Sequence, residues 1–215
     1  DGTTTTIDDI KGGKTGTATN TTVVAGKYSN GRSFNGSSSY ISVNSAATTN
    51  VSNWTVEAWI NPANLNQSSL AVYNGNDSGG YGFGVGSGTG TPGAKLQGLF
   101  GTVAWIDCGY TFPSANQWYY VVLSRDASTT YCYVNGTMTG SSAATPNAVQ
   151  AKTSIGMEYS SSNVATNFFA GKIDEVRIYN AVLSGDAMVQ HYTEGLASLG
   201  VYQQESGRIR IEGSN

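Results

Sequence analysis

The stretch Trp54-Thr55-Val56-Glu57-Ala58-Trp59-Ile60 alternates with a period of two. Successive side chains on a strand point to opposite faces, so Trp54, Val56, Ala58 and Ile60 share one apolar face. Thr55, Glu57 and Trp59 share the other. That second face reads either as a concave binding surface or as a ring, Trp59, packed beneath a covering segment. Similar strand-like runs lie on both sides: Tyr40-Ile41-Ser42-Val43, Trp118 to Leu123, Tyr131 to Val134 and Ile173 to Tyr179. Between them stand Asn30-Gly31, Asn35-Gly36, Asn74-Gly75, Pro92-Gly93 and Asn135-Gly136, and Asn-Gly between strand-like runs marks a hairpin turn. Many short strands with Gly and Asn turns predict an all-β sandwich or barrel.

At 215 residues the chain suits one large β-sandwich. Charged residues make up only 12%, so Ser, Thr, Asn and Gly must cover most of the surface, as in many secreted proteins. A net charge of −3 provides no basic footprint for nucleic acid. No apolar run approaches the length of a membrane span. A start at Asp1-Gly2 reads as a mature or trimmed form. Cys108 and Cys132 read as a disulfide, by the link between export and oxidation, or as two buried thiols. The disulfide would stabilise by roughly 3 kcal/mol. Two cysteines and one histidine cannot make a conventional zinc site.

One helix is predicted. Ser184 is its N-cap, Asp186 sits in the first turn, Leu183 and Met188 form a hydrophobic staple, and Gly195 ends it. It is expected to close one end of the sandwich, with His191 an ordinary helix residue. Gly79 to Gly93 is Gly-rich, but no helix pattern follows, so it reads as a strand with a loop rather than a nucleotide fingerprint. The expected division is a domain over 1–200 and a tail over 201–215. In that tail Gly207-Arg208-Ile209-Arg210-Ile211-Glu212 alternates as an edge strand would. It reads as an extra strand, a linker, or a segment that pairs with another subunit.

Four segments in order resemble the laminin G-like branch of the concanavalin A-like lectin and glucanase superfamily. They are Gly31 to Val43, with Phe34-Asn35-Gly36 and Tyr40-Ile41; Trp54 to Pro62; Gln117-Trp118-Tyr119-Tyr120-Val121 through Val134-Asn135-Gly136; and Gly171 to Asn180 with Leu183-Ser184. The resemblance implies an antiparallel two-sheet jelly roll outside the cell, glycan binding, and a structural calcium ion. Asp174 matches the Asp of the family's Ile-Asp-Glu-Val strand and is the first candidate ligand, with Asn35 and Asp8 behind it. Ser38 and Ser39 stand where relatives carry acidic residues, which weakens the attraction for calcium. Relatives also begin with a strand that this chain starts too late to include.

Glycoside hydrolysis needs two carboxyl groups flanking the scissile bond. The superfamily's Glu-x-Asp-x-x-Glu is absent from the sequence, and the adjacent Asp174-Glu175 and Asp8-Asp9 pairs would point to opposite faces of a strand. His191 lacks a Gly-x-Ser-x-Gly partner motif. A non-catalytic module is therefore expected. Sugar binding needs aromatic faces and planar polar groups. Two clusters supply them: Tyr73, Asn74, Asn76, Asp77 and Tyr81, and then Trp105, Asp107 and Tyr110, with Glu158-Tyr159 joining from a later loop. The competing reading is that these aromatics are strand packing. The expected partners are glycans or cell-surface and matrix components. The alternative is a structural subunit that joins other copies of itself by strand addition.

Overall fold

The computed structural model describes residues 6–8 and 13–201. In chain order the strands begin with β1 (Thr6–Asp8), β2 (Thr15–Thr19), β3 (Thr22–Ala25), β4 (Asn30–Asn35), β5 (Tyr40–Val43) and β6 (Trp54–Pro62). Next come β7 (Val72–Asn76), β8 (Gly79–Gly86), β9 (Lys95–Phe100), β10 (Ala104–Thr111), β11 (Tyr119–Asp126) and β12 (Thr129–Val134). The last are β13 (Thr137–Ser142), β14 (Thr153–Ile155), β15 (Glu158–Tyr159), β16 (Ala165–Thr166) and β17 (Ala170–Tyr179), followed by helix α1 (Gly185–Val201). An eight-stranded sheet, β1-β2-β5-β14-β7-β8-β9-β10, faces a seven-stranded one, β13-β12-β11-β6-β17-β4-β3, and all their pairings are antiparallel. The predicted two-layer sandwich is the fold.

The alternation of β6 holds residue by residue. Trp54, Val56, Ala58 and Ile60 enter the core between the sheets, where Trp54 stacks on Tyr81 with centroids 3.8 Å apart. Trp59, on the outer face, is also buried, because α1 lies over it with Met188 and Tyr192. The helix therefore covers the seven-stranded sheet instead of closing an end of the sandwich. It starts as predicted: the Ala187 N–H donates to Ser184 Oγ at 3.2 Å, and Leu183 packs into the cluster that holds Met188. It does not stop at Gly195. A Cβ there would lie 2.3 Å from Trp59 Cζ2, so this glycine lets the helix approach the indole and is no terminator.

Of the dipeptides read as turns, Asn135-Gly136 makes a two-residue hairpin, with φ of 52° and 79°, between β12 and β13. Asn74-Gly75 lies inside β7, and Asn30-Gly31 opens β4. Gly75 is needed for close strand approach, since a Cβ on it would sit 2.2 Å from the Gly79 carbonyl oxygen. Cys108 and Cys132 form a disulfide with a Cα–Cα distance of 5.6 Å, which ties β10 of one sheet to β12 of the other. Among the described residues no helix is long and apolar enough to cross a membrane. Asp9 and the segment Arg208 to Glu212 lie outside the described residues.

Candidate functional site

One rim of the sandwich gathers the turn between β7 and β8, the turn between β9 and β10, the segment before β14, and β15. Asp77 and Ser78 form the first turn, which Asn76 caps by accepting the Ser78 N–H at 3.0 Å. The Asp77 N–H donates to the Tyr159 carbonyl at 2.8 Å, fixing the turn against β15. Tyr159 is half-buried, and Lys152 Nζ lies 4.8 Å from its ring centroid. Asn147, exposed, donates to Thr102 Oγ1 at 2.9 Å and links the other two segments.

Beneath this surface lie two carboxyl groups with unmet needs. Glu158 is 4% exposed; its Oε1 accepts from the Asn167 amide, while Oε2 is buried and has no hydrogen-bond partner. Asp77 Oδ1 is likewise buried and unpartnered. Burial, then the neighbouring Asp77 charge, pushes Glu158 up to about 7, although the Asn167 bond opposes them. Such a group costs free energy unless a proton or a cation satisfies it.

The other predicted ligand residues divide by burial. Tyr73 and Tyr81 have no exposure. Tyr81 is a core ring whose hydroxyl donates to the Asn50 carbonyl at 3.1 Å, and Tyr73 accepts the Gly101 N–H at 2.9 Å. Burial raises both phenols. Tyr73 packs with Leu70 and Leu99 on the outer side of the eight-stranded sheet, where half-buried Trp105 joins them. Asp107 is exposed and bound to Lys95, a hydrogen bond that lowers its pKa. Tyr110 turns away from both, onto Phe112 and Tyr119, because strand alternation puts it on the face of β10 that carries Ile106 and Cys108 into the core. The structure thus brings together Asn76, Asp77 and Tyr159, and separately Tyr73 and Trp105.

The residues proposed to hold calcium do not converge. Asp174 Oδ2 accepts the N–H groups of Lys27 (2.7 Å) and Tyr28 (3.0 Å), and Oδ1 accepts that of Glu175 (2.9 Å). Asn35 Oδ1 accepts three N–H groups, from Ser37, Ser38 and Ser39. Asn35 faces Ala170 on β17, so roughly 13 Å of strand separates it from Asp174. Asp8 is on β1, at the edge of the other sheet. The oxygens of Asp174 and Asn35 are taken by backbone amides, and the three residues do not fit one shared ion.

Sequence reasoning missed a second polar cluster, under α1. Glu57, with no exposure, accepts from Arg177 at 2.9 Å and from the hydroxyls of Tyr120 (2.7 Å) and Tyr179 (3.3 Å). His191 Nδ1 lies 3.0 Å from Glu57 Oε1. A bulge between Asp174 and Arg177, with Glu175 at φ 52°, rotates Arg177 onto Glu57 and places Glu175 on the same guanidinium. The available signal was Glu57 on the Trp59 face, which needed a partner once that face was covered.

A two-layer antiparallel sandwich with polar rim loops has the architecture of a lectin-like domain. The chain belongs to the concanavalin A-like lectin/glucanases superfamily: its laminin G-type family model matches residues 34–188, more than half of the chain. Among solved structures it is similar to domain 4 of an extracellular arabinanase from Geobacillus stearothermophilus in complex with arabinotriose. The two are 21% identical, with a TM-score of 0.68, covering 85% of this chain and 91% of that one. The botulinum neurotoxin serotype D binding domain is 15% identical, with a TM-score of 0.62, covering 87% of this chain and 48% of that one. A Trypanosoma rangeli sialidase in complex with sialic acid is 15% identical, with a TM-score of 0.63, covering 92% of this chain and 32% of that one. This chain therefore spans about half of the second protein and a third of the third. A search of curated proteins by sequence found no match.

Proposed function

We propose that this domain is an extracellular, non-catalytic carbohydrate-binding module whose ligand rim is organised by a calcium ion held between Asp77 and Glu158. The observation that carries this reading is the pair of buried, unpartnered carboxylate oxygens of Asp77 and Glu158, on segments tied by the backbone bond from Asp77 to half-exposed Tyr159. Calcium takes several oxygen ligands, and charge from two carboxylates favours it. When bound, the ion supplies positive charge and open coordination positions. Among the described residues no three His, Cys, Asp or Glu side chains converge, so carbonyls, water and sugar hydroxyls would complete the shell. Tyr159 offers a ring face to the apolar side of a sugar, and Lys152 offers a donor beside it. The sugar ligands named for the arabinanase domain and the sialidase support a carbohydrate partner. The disulfide supports an oxidising compartment. Burial of Glu158 supports a role without catalysis, since a general acid must reach the glycosidic oxygen.

The test is binding to an arabinan and sialoglycan panel, measured in calcium and again in chelator, with Asp77→Asn and Glu158→Gln alongside. Binding in calcium that is lost in chelator and in both variants is expected. Binding indifferent to chelator would overturn the cation. Sugar release from the panel that disappears in the Glu158→Gln variant would overturn the non-catalytic reading.

A further inference from the structure

The sandwich is open along one side. Among the described residues β3 ends the seven-stranded sheet and β1, only three residues long, ends the eight-stranded sheet. Between these ends runs a cleft of about 290 Å³, floored by Val23, Phe34, Ile41, Ile155, Ile173 and Val176. The outer edge of β3 reads Thr22-Val23-Val24-Ala25, with no charge, proline or bulge to guard it. Unguarded edges of strong strand formers attract further strands, and natural proteins protect or cover them. An apolar floor beside an open edge is suited to an amphipathic strand: main-chain bonds along the edge, alternate side chains into the floor.

The helix passes close to the turn that follows β3. Along α1 and the segment before it, the Leu183 N–H donates to Thr55, His191 meets Glu57, and Gly195 lies on Trp59, so the helix follows β6 from its start toward its end. Its middle meets the β3–β4 turn on one side, where the Tyr28 hydroxyl donates to the His191 carbonyl at 3.1 Å and Lys27 Nζ sits 4.4 Å from the Trp59 ring centroid, and the β12–β13 turn on the other, where Tyr192 lies against Gly136. Val201, the last described residue, lies six positions beyond Gly195. Residues 202–207 reach up to roughly 20 Å when extended.

We propose that Arg208-Ile209-Arg210-Ile211-Glu212 of the same chain completes this edge by pairing with β3. Its alternation places Ile209 and Ile211 in the cleft and turns Arg208, Arg210 and Glu212 outward, giving the sheet the charged border that β3 lacks. The tether makes the pairing intramolecular, at an effective concentration in the millimolar range.

Amide hydrogen exchange on the full chain tests this, at two protein concentrations and beside the double variant Ile209→Ser/Ile211→Ser. The expected result is protection of residues 208–212, independent of concentration. The double variant should lose it, with at least a tenfold loss of protection in β3 and none in β11. Exchange of residues 208–212 at the unprotected rate would overturn the proposal. So would tail protection with β3 unmoved by the double variant. Protection that grows with concentration, together with a larger species on sizing, would also overturn it and make the domain a subunit that donates its strand to a neighbour.

Discussion

Glu57 and Glu158 are both carboxyl groups buried in one sandwich, and their surroundings differ completely. Glu57 is surrounded by donors: a guanidinium, two phenols and an imidazole. Glu158 has one amide and, nearby, a second acid whose buried oxygen also lacks a partner. A satisfied buried network fixes structure, and its parts are coupled. An unsatisfied pair on a rim lowers stability until something arrives to satisfy it. The difference separates the group that docks the helix from the group whose buried oxygen has no partner.

The largest effect is expected where the satisfied cluster is broken. Glu57→Ala leaves Arg177 without its buried partner and strips two tyrosine hydroxyls of their acceptor. Removing one member of a buried pair costs about 3–5 kcal/mol. For a domain of this size that lowers Tm by roughly 10 °C or more, and thermal unfolding checks it. A fall below about 3 °C would mean that the network contributes little, and the contrast with Glu158 would fail.

The next effect runs the other way with pH. Unfolded Glu158 ionises near 4.5, whereas folded Glu158 keeps its proton until about 7. In this window the folded state binds more protons, so stability is full below 4.5 and is lost as pH rises through 7. The shift corresponds to about 3 kcal/mol at most. In chelator, Tm should therefore decline from pH 4.5 to 7, and Glu158→Gln should flatten the decline. At pH 8 calcium should reverse it, by about 2.7 kcal/mol at a hundred times its dissociation constant. A wild-type profile that matches the Gln variant would remove Glu158 from the account.

How much of this was legible in the sequence depended on range. The alternation of Trp54 to Ile60, the Leu183-Ser184 helix start and the ordered family segments are local, and they yielded the fold. Gly195 misled, because a glycine that ends a helix and one that admits an indole look the same until Trp59 is in place. Tyr73 and Tyr81 misled for a related reason: they neighbour Asn and Asp residues in sequence, but strand alternation sends Tyr81 to the core and Tyr73 beneath Trp105. Asp174 was singled out by its motif, yet its oxygens serve the amides of Lys27 and Tyr28, a partnership fixed by tertiary approach at Gly26, where a Cβ would lie 2.4 Å from Asp174 Oδ2. Asp77 and Glu158 are joined through one backbone bond between β15 and a distant turn, which no spacing rule contains.

The smallest expected change in stability sharpens the contrast most. Tyr159→Ala removes a half-exposed ring next in sequence to Glu158 of the unsatisfied pair but leaves both carboxyl groups and the Asp77 to Tyr159 backbone bond in place. Surface substitutions of this kind usually move stability by no more than about 0.5 kcal/mol. Loss of an aromatic platform for a sugar ring, by contrast, should weaken binding about tenfold, since stacking contributes on the order of 1 kcal/mol beyond area burial. Titration calorimetry with a bound sugar, beside a thermal melt, separates the two quantities. An unchanged affinity would move the sugar off Tyr159 and toward Trp105, while the calcium-dependent Tm shift, which needs only Asp77 and Glu158, should persist in the variant.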